Sequence, residues 1–144
     1  MFKKILAAVD GSAHSRAALD YARRVAETVG AELWILHAFA PTSDLLGYTD
    51  FAERVAQRKS QGQKLMAELR QGLADSHLRI TEELLEGPGA EAILRVAGNH
   101  GVDLIVMGTR GLGAIEGVVL GSVSRKVTQQ APCPVMLVRA PGSG

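Results

Sequence analysis

The chain has a single cysteine among 144 residues, Cys133, so no internal disulfide is available to hold it together. Cys133 sits between Pro132 and Pro134 ahead of an apolar run, a position that suits a buried structural thiol better than a reactive one. Aromatic residues are scarce, at 4%, while hydrophobic residues reach 47%, so any core must be packed mainly with aliphatic side chains. Charge of one sign is lacking too. Sixteen basic residues stand against 15 acidic ones, for a net charge of +1, and this balance argues against a nucleic-acid surface. No apolar run approaches the roughly 20 residues of a membrane span. After Lys3 and Lys4 the run Ile5–Val9 is cut off by Asp10, too short for the core of a secretion signal. These absences lead to the expectation of one soluble, cytoplasmic domain over residues 1–144. Internal repeats and low-complexity segments are missing as well.

What is present is an alternation. Apolar runs at 4–9, Leu33–Leu36 (running into His37 and Ala38), Leu78–Leu85, Asp103–Met107 and Val135–Val138 read as strands. Between them lie helical patterns. The first turns Ala18, Tyr21, Ala22, Val25 and Val29 inward and closes at Gly30, with Ser12 or Gly11 as its N-cap. The second, at 51–74, places Val55, Gly62, Leu65, Met66, Leu69 and Leu73 inward. The third carries Ala90, Ile93, Leu94 and Ala97 and ends at Gly101, and the fourth, a serine-capped helix, runs from Ser122 to about Gln130. Residues 40–50 read as a loop, with Leu45, Leu46 and Tyr48 either a small lid or a cover for the core edge. Five strands this uniformly apolar are covered on both faces, which predicts a doubly wound α/β fold with a parallel sheet. Ligands of such sheets bind beyond the strand C-termini, where strand order reverses.

The chemistry concentrates between Val106 and Val127, V-M-G-T-R-G-L-G-A-I-E-G-V-V-L-G-S-V-S-R-K-V. A strand, a glycine-rich loop and a helix start follow one another. That succession offers free backbone N–H groups and the positive end of a helix dipole to an anion such as phosphate. Ser122 and Ser124 offer hydroxyl donors and Arg110 a charge, unless Arg110 is only a solvated loop residue. The alternative is a glycine-rich surface turn without a ligand. Gly-x-x-x-x-Gly-Lys-Ser/Thr does not occur, and Gly108-x-x-Gly111 has the wrong spacing for a dinucleotide fingerprint. Asp10, directly after the first strand, is open to a catalytic-base or metal-ligand role, but reads foremost, and equally, as a sugar-hydroxyl acceptor and as a helix cap. His37 reads as a packed strand-end histidine, and Trp34 as core or interface. His14, His77 and His100 read as surface residues that form no metal set.

With these residues in view, the chain resembles the universal stress protein family over nearly its whole length. The resemblance rests on K-K-I-L-A-A-V-D-G-S, W-I-L-H-A, E-G-P-G-A-E-A-I, D-L-I-V-M-G-T-R-G and A-P-C-P-V-M-L-V-R. Its most specific element is Gly-x2-Gly-x9-Gly-Ser, met by Gly108, Gly111, Gly121 and Ser122, the signature of the family's nucleotide-binding branch. The resemblance implies strand order 3-2-1-4-5 with helices on both faces, and ATP as ligand; a phosphate cradle without a carboxylate cluster leads to the expectation that Mg²⁺ is carried on the nucleotide. It implies that Val9 and Ala38 line the adenine pocket, Ala38 through backbone polar atoms. Asp10 would lie by the ribose and Met107 against base or ribose. Gly108, Arg110, Gly111, Gly121, Ser122, Val123 and Ser124 would surround the phosphates. Ala38 is smaller than the valine common at that place, which implies a roomier pocket.

The resemblance also implies a stress-response regulator, non-catalytic or at most slowly hydrolysing ATP. Glu116 is the one acidic candidate within the glycine loop, and a solvent-facing role suits it better. Two alternatives stay open. One is an ATP-using enzyme, although Ser-Gly-Gly-x-Asp-Ser and His-x-Gly-His are missing near the first strand. The other is an interaction module with a vestigial site, and an unidentified protein partner is compatible with each. Strand Val135–Val138 is a short apolar edge on the implied order, with no inward lysine, so a homodimer through this strand is expected.

Overall fold

The computed structural model describes residues 2–39, 48–111 and 120–141, with residues 48–50 described in backbone only. The elements run β1 (Lys4–Ala8), α1 (Ala13–Val29), β2 (Glu32–Phe39), α2 (Tyr48–Gln71), β3 (Ile80–Glu86), α3 (Gly89–Asn99), β4 (Leu104–Gly108), α4 (Ser122–Gln130) and β5 (Val135–Val138). The five strands form one sheet in the order β3-β2-β1-β4-β5, and every pairing is parallel. The expected fold class and strand order are therefore the observed ones.

Burial explains why the strands are so apolar. Ile5, Ala7, Leu33, Ile35, Leu104 and Val106 face one way and pack under Ala18, Ala22 and Ala26 of α1, Met66 and Leu69 of α2, and Leu73 in the turn just beyond it. Leu6, Trp34, Leu36, Ile105 and Met107 face the other way, under Ile93, Val96 and Ala97 of α3 and Val127 of α4. The period of two in a strand sends alternate residues to two separate cores, so both sets must be apolar. Small alanines on α1 let that helix lie close to the sheet.

Local signals account for the helix ends. Ser12 Oγ accepts the Ser15 N–H at 3.1 Å and caps α1, while Gly30, at φ 74°, closes it in the left-handed region that glycine enters without strain. Four boundary or facing expectations need correction. The second helix starts at Tyr48 and ends at Gln71, so the loop expected over 40–50 gives way to helix at 48, and residues 40–47 lie outside the described residues. The third strand begins at Ile80 rather than Leu78, because its ladder with β2 opens only where Leu33 N–H meets Arg79 O. Tyr21 and Val29, expected inward, are 48% and 44% exposed. Their angular position on α1 lies beyond the stripe that the sheet covers, and Tyr21 instead lies under the Arg24 guanidinium. Leu94 of α3 is only half-buried, and Ala92 and Val96 take its place in the core. Gly62 on α2 marks close packing: a Cβ there would lie 2.9 Å from His37 Cδ2 and Leu84 Cδ1.

The end of the sheet opposite the glycine loop is tied by charge. Asp103 accepts the N–H groups of Lys3 and Lys4 at 2.7 and 2.9 Å, and these bonds hold its carboxyl below the usual aspartate range. Glu32 is likewise held low, first by the Trp34 indole N–H and then by Lys4.

Candidate functional site

Strand order reverses between β1 and β4, where α1 leaves one face and α4 the other. A cavity of about 630 Å³ opens there, within the range of small-molecule sites. Its wall includes all eleven residues expected from sequence: Val9, Asp10, Ala38, Met107, Gly108, Arg110, Gly111, Gly121, Ser122, Val123 and Ser124. Residues from 9 to 124 thus meet in one hollow, although their chemical roles differ from one another.

At one end the sheet itself supplies polar atoms. Along β2, Leu33 and Phe39 direct their backbone groups toward β3, through Leu33 N–H to Arg79 O and Gly87 N–H to Phe39 O. Leu36 points the other way and accepts the Val9 N–H at 2.8 Å. By the alternation of a strand, Ala38 also turns its N–H and C=O toward the β1 side. There β1 has already ended, and the Val9 carbonyl that would have continued the ladder accepts the His37 Nδ1–H at 2.8 Å. Ala38 therefore presents one donor and one acceptor side by side at the cavity wall, with no protein partner among the described residues.

The other end is built by the glycine loop and α4. Thr109 O accepts both the Gly121 N–H at 2.8 Å and the Ser124 hydroxyl at 2.8 Å. These bonds pin the start of α4 to the end of β4. Within α4 the Arg125 N–H is the first to reach back, to Gly121 O, which leaves the N–H groups of Ser122, Val123 and Ser124 without an intrahelical acceptor. Residues 112–119, including Glu116, lie outside the described residues.

Two expectations change here. Ser124 was read as a hydroxyl donor to an anion, but it is 2% exposed and its hydroxyl is committed to Thr109 O, so only its backbone N–H remains for a ligand. Ser122 is not the cap of α4; the cap is Gly121, with no side-chain hydrogen bond. The motif glycines also owe nothing to positive φ: Gly108, Gly111 and Gly121 are not among the described residues with positive φ, and Gly121 sits at φ −74°. Gly108 is instead required by packing, since a Cβ there would lie 2.7 Å from His14 Cβ and 2.9 Å from His14 C. A Cβ on Gly111 would overlap Asp10 Oδ2. At Gly121 the nearest atoms to an added Cβ, Arg110 Cα and Thr109 O, lie at ordinary distances of 3.5 and 3.7 Å.

Asp10 carries the local turn as well as facing the cavity. Its Oδ1 accepts the Ser12 N–H at 2.9 Å, and its own N–H is donated to Ser15 Oγ at 3.2 Å. Both capping of the turn and exposure to a ligand are thus compatible with its place.

Sequence reasoning missed three polar side chains at or beside the cavity. Ser15 and Arg125 line the cavity. A signal for Arg125 existed, because a cation in the first turn of a helix opposes the dipole and calls for an anion nearby. His14 was read as a surface residue, yet it is 8% exposed. Its Nδ1 accepts the Ala140 N–H at 2.9 Å, and its Nε2 lies 3.4 Å from Arg110 Nη2. His77 and His100 are exposed as expected. Cys133 is only partly buried, and its thiol is pushed up first by burial and then by Asp103. Among the described residues no group of three His, Cys, Asp or Glu side chains is arranged to hold a metal ion. No helix among them is long and apolar enough to cross a membrane.

A doubly wound α/β sheet with an anion-ready cleft at its switch point is the class that fold and site define together. The chain belongs to the universal stress protein family, whose model matches residues 1–139. It is 46% identical over 142 residues to a universal stress protein of Thermus aquaticus, encoded in the QAH/OAS sulfhydrylase 3′ region, covering 96% of this chain and all of that one. Among solved structures it is similar to the universal stress protein UspA from Lactobacillus plantarum, with a TM-score of 0.88, 27% identity, and coverage of 96% of this chain and 98% of that one. It is also similar to a universal stress protein crystallised in complex with cAMP, with a TM-score of 0.64, 27% identity, and the same coverage.

Proposed function

We propose that this protein is an ATP-binding regulator of the stress response, acting in the cytoplasm as a homodimer and turning over ATP slowly or not at all. The observation that carries the reading is the pairing of two polar ends in one cavity. Ala38 offers a backbone donor and acceptor where β1 stops, which matches the N1 acceptor and N6 amino group of adenine. The first-turn N–H groups of α4, with Arg110 and Arg125, face the same hollow from the far side, which suits a phosphate chain. Val9 and Met107, each 5% exposed, supply apolar contact between the ends, and Asp10 suits the ribose hydroxyls. The cAMP carried by a structural relative supports an adenine nucleotide as the class of ligand.

The donor set supports Mg²⁺ held on the phosphates rather than by the protein, because Asp10 is the only carboxylate among the described residues lining the cavity. The same fact favours a binding role over catalysis, since hydrolysis requires a base beside the terminal phosphate. The homodimer forms through β5, whose outer edge has no strand partner among the described residues. Two-fold pairing of such an edge satisfies its backbone groups and closes the assembly.

Mass spectrometry of the protein as purified, followed by calorimetry with ATP, tests the reading. Bound ATP, or micromolar affinity for it, is the expected result. A chemically altered nucleotide would point to an ATP-using enzyme, and no bound nucleotide with no measurable affinity would point to a pure interaction module.

A further inference from the structure

His14 stands in the first turn of α1 and is nine-tenths buried, yet its two ring nitrogens meet groups from distant parts of the chain. The Ala140 N–H, just beyond β5, can only donate, so Nδ1 must accept it. A neutral imidazole has one acceptor and one donor nitrogen. The hydrogen of His14 therefore sits on Nε2. Arg110 Nη2, 3.4 Å away, is also only a donor. The contact is thus not a hydrogen bond between the two residues: it sets two donors side by side, with no acceptor for Nε2–H among the described residues. The arrangement is held in place. Ala140 fixes the ring from one side, and the absence of a Cβ on Gly108 lets His14 press against the end of β4. Arg110 lines the cavity. Two adjacent donors, one cationic, are relieved together by a single anionic oxygen.

We propose that His14 Nε2–H and the Arg110 guanidinium jointly hold one phosphate oxygen of the bound nucleotide, which makes His14 a buried member of the phosphate site. The proposal rests on the reading of the cavity as a nucleotide site. It assigns to the first turn of α1 a part in binding the phosphates, beside the glycine loop and α4.

The test uses the full chain, with ATP and adenosine as probes in calorimetry. His14→Asn keeps an acceptor near the Nδ1 position for the Ala140 N–H but removes the Nε2 donor. It is expected to weaken ATP about tenfold, as loss of one bond to a charged group does, and to leave adenosine unchanged. Arg110→Ala should weaken ATP as well, and the double variant should be weaker by less than the product of the two factors, because the oxygen is shared. Wild-type ATP affinity in His14→Asn overturns the proposal and leaves the nucleotide site standing. An equal loss for ATP and adenosine also overturns it, as the mark of a structural role. If wild-type protein binds neither probe, the nucleotide reading and the proposal fail together. If the variant does not fold, imidazole ¹⁵N spectra of the wild type decide: ATP should shift Nε2 and leave Nδ1 in place, and an unmoved Nε2 refutes the proposal.

Discussion

Gly121→Val separates ligand binding from folding. The substitution introduces a branched side chain at the N-cap of α4, where φ is −74° and ψ 168°, an extended geometry that valine adopts without strain. Its Cβ would lie 3.5 Å from Arg110 Cα, 3.7 Å from Thr109 O and 3.9 Å from Gly111 N, so the folded chain accepts the first carbon. Losing a favoured capping residue costs about 1 kcal/mol, and the stiffer unfolded chain returns about 0.4–1 kcal/mol. Stability should therefore stay within about 1 kcal/mol, which is about 3 °C in Tm for a chain of this size. Binding should suffer far more. The γ carbons add bulk beyond a Cβ already 3.9 Å from Gly111 N, at the end of the cavity where a phosphate would take backbone N–H bonds. Loss of two such bonds at about 1.5 kcal/mol each corresponds to roughly a hundredfold weaker ATP. Gly108→Ala is the contrasting variant. Its Cβ meets His14 Cβ and C, atoms fixed by the α1 backbone, so no rotamer change relieves the overlap, and about 1–3 kcal/mol of stability is lost. Calorimetry with ATP and thermal melts by circular dichroism read both effects. A Gly121→Val protein with native melting and wild-type ATP affinity would refute the assignment of this end of the cavity to phosphate.

Leu137→Lys places a charge in the apolar edge strand and should convert the dimer to monomer; light scattering that gives 15.3 kDa for the wild-type protein at micromolar concentration would remove the dimer. Titration of the nucleotide-free protein with Mg²⁺ alone should give no heat, whereas tight metal binding without ATP would contradict a metal carried on the phosphates. Asp103→Ala should lower stability by about 1 kcal/mol at pH 7, since it removes two backbone hydrogen bonds to a carboxylate. The Asp103 pKa is depressed in the fold, so this contribution is full above the ordinary aspartate value near 3.9 and fades as pH falls through the folded value. Urea melts of the two proteins should therefore converge in acid, and a gap that stays constant down to pH 2 would refute the linkage.

Much of the fold is written in short-range patterns. Ile5–Ala7 and Leu104–Met107 are apolar at every position because parallel strands at the centre of such a sheet are buried on both faces. Ser12 and Gly30 bound α1 through interactions within a few residues of themselves. The glycine spacing from 108 to 121 marked the loop because glycine is used where chains approach closely, and each of Gly108 and Gly111 does meet such an approach. Edges were less legible. Tyr21 and Val29 lie on the apolar stripe of α1, yet how far the sheet extends beneath that helix is a property of the assembled layers. The same holds for Ile80, where strand pairing starts only because β2 arrives opposite it.

The chemical roles within the cavity were decided by tertiary structure alone. Ser124 looks like a ligand donor until Thr109 O, 15 residues earlier, takes its hydroxyl. Ala38 becomes a polar residue only because β1 stops short and His37 claims the Val9 carbonyl. His14 reads as surface until Ala140, 126 residues further on, donates to its ring and Arg110 meets the other nitrogen. Periodicity and capping act over a few residues and survive in the sequence as pattern. A hydrogen bond between two distant segments leaves no such pattern, because its partners are brought together only by the packing of the whole sheet.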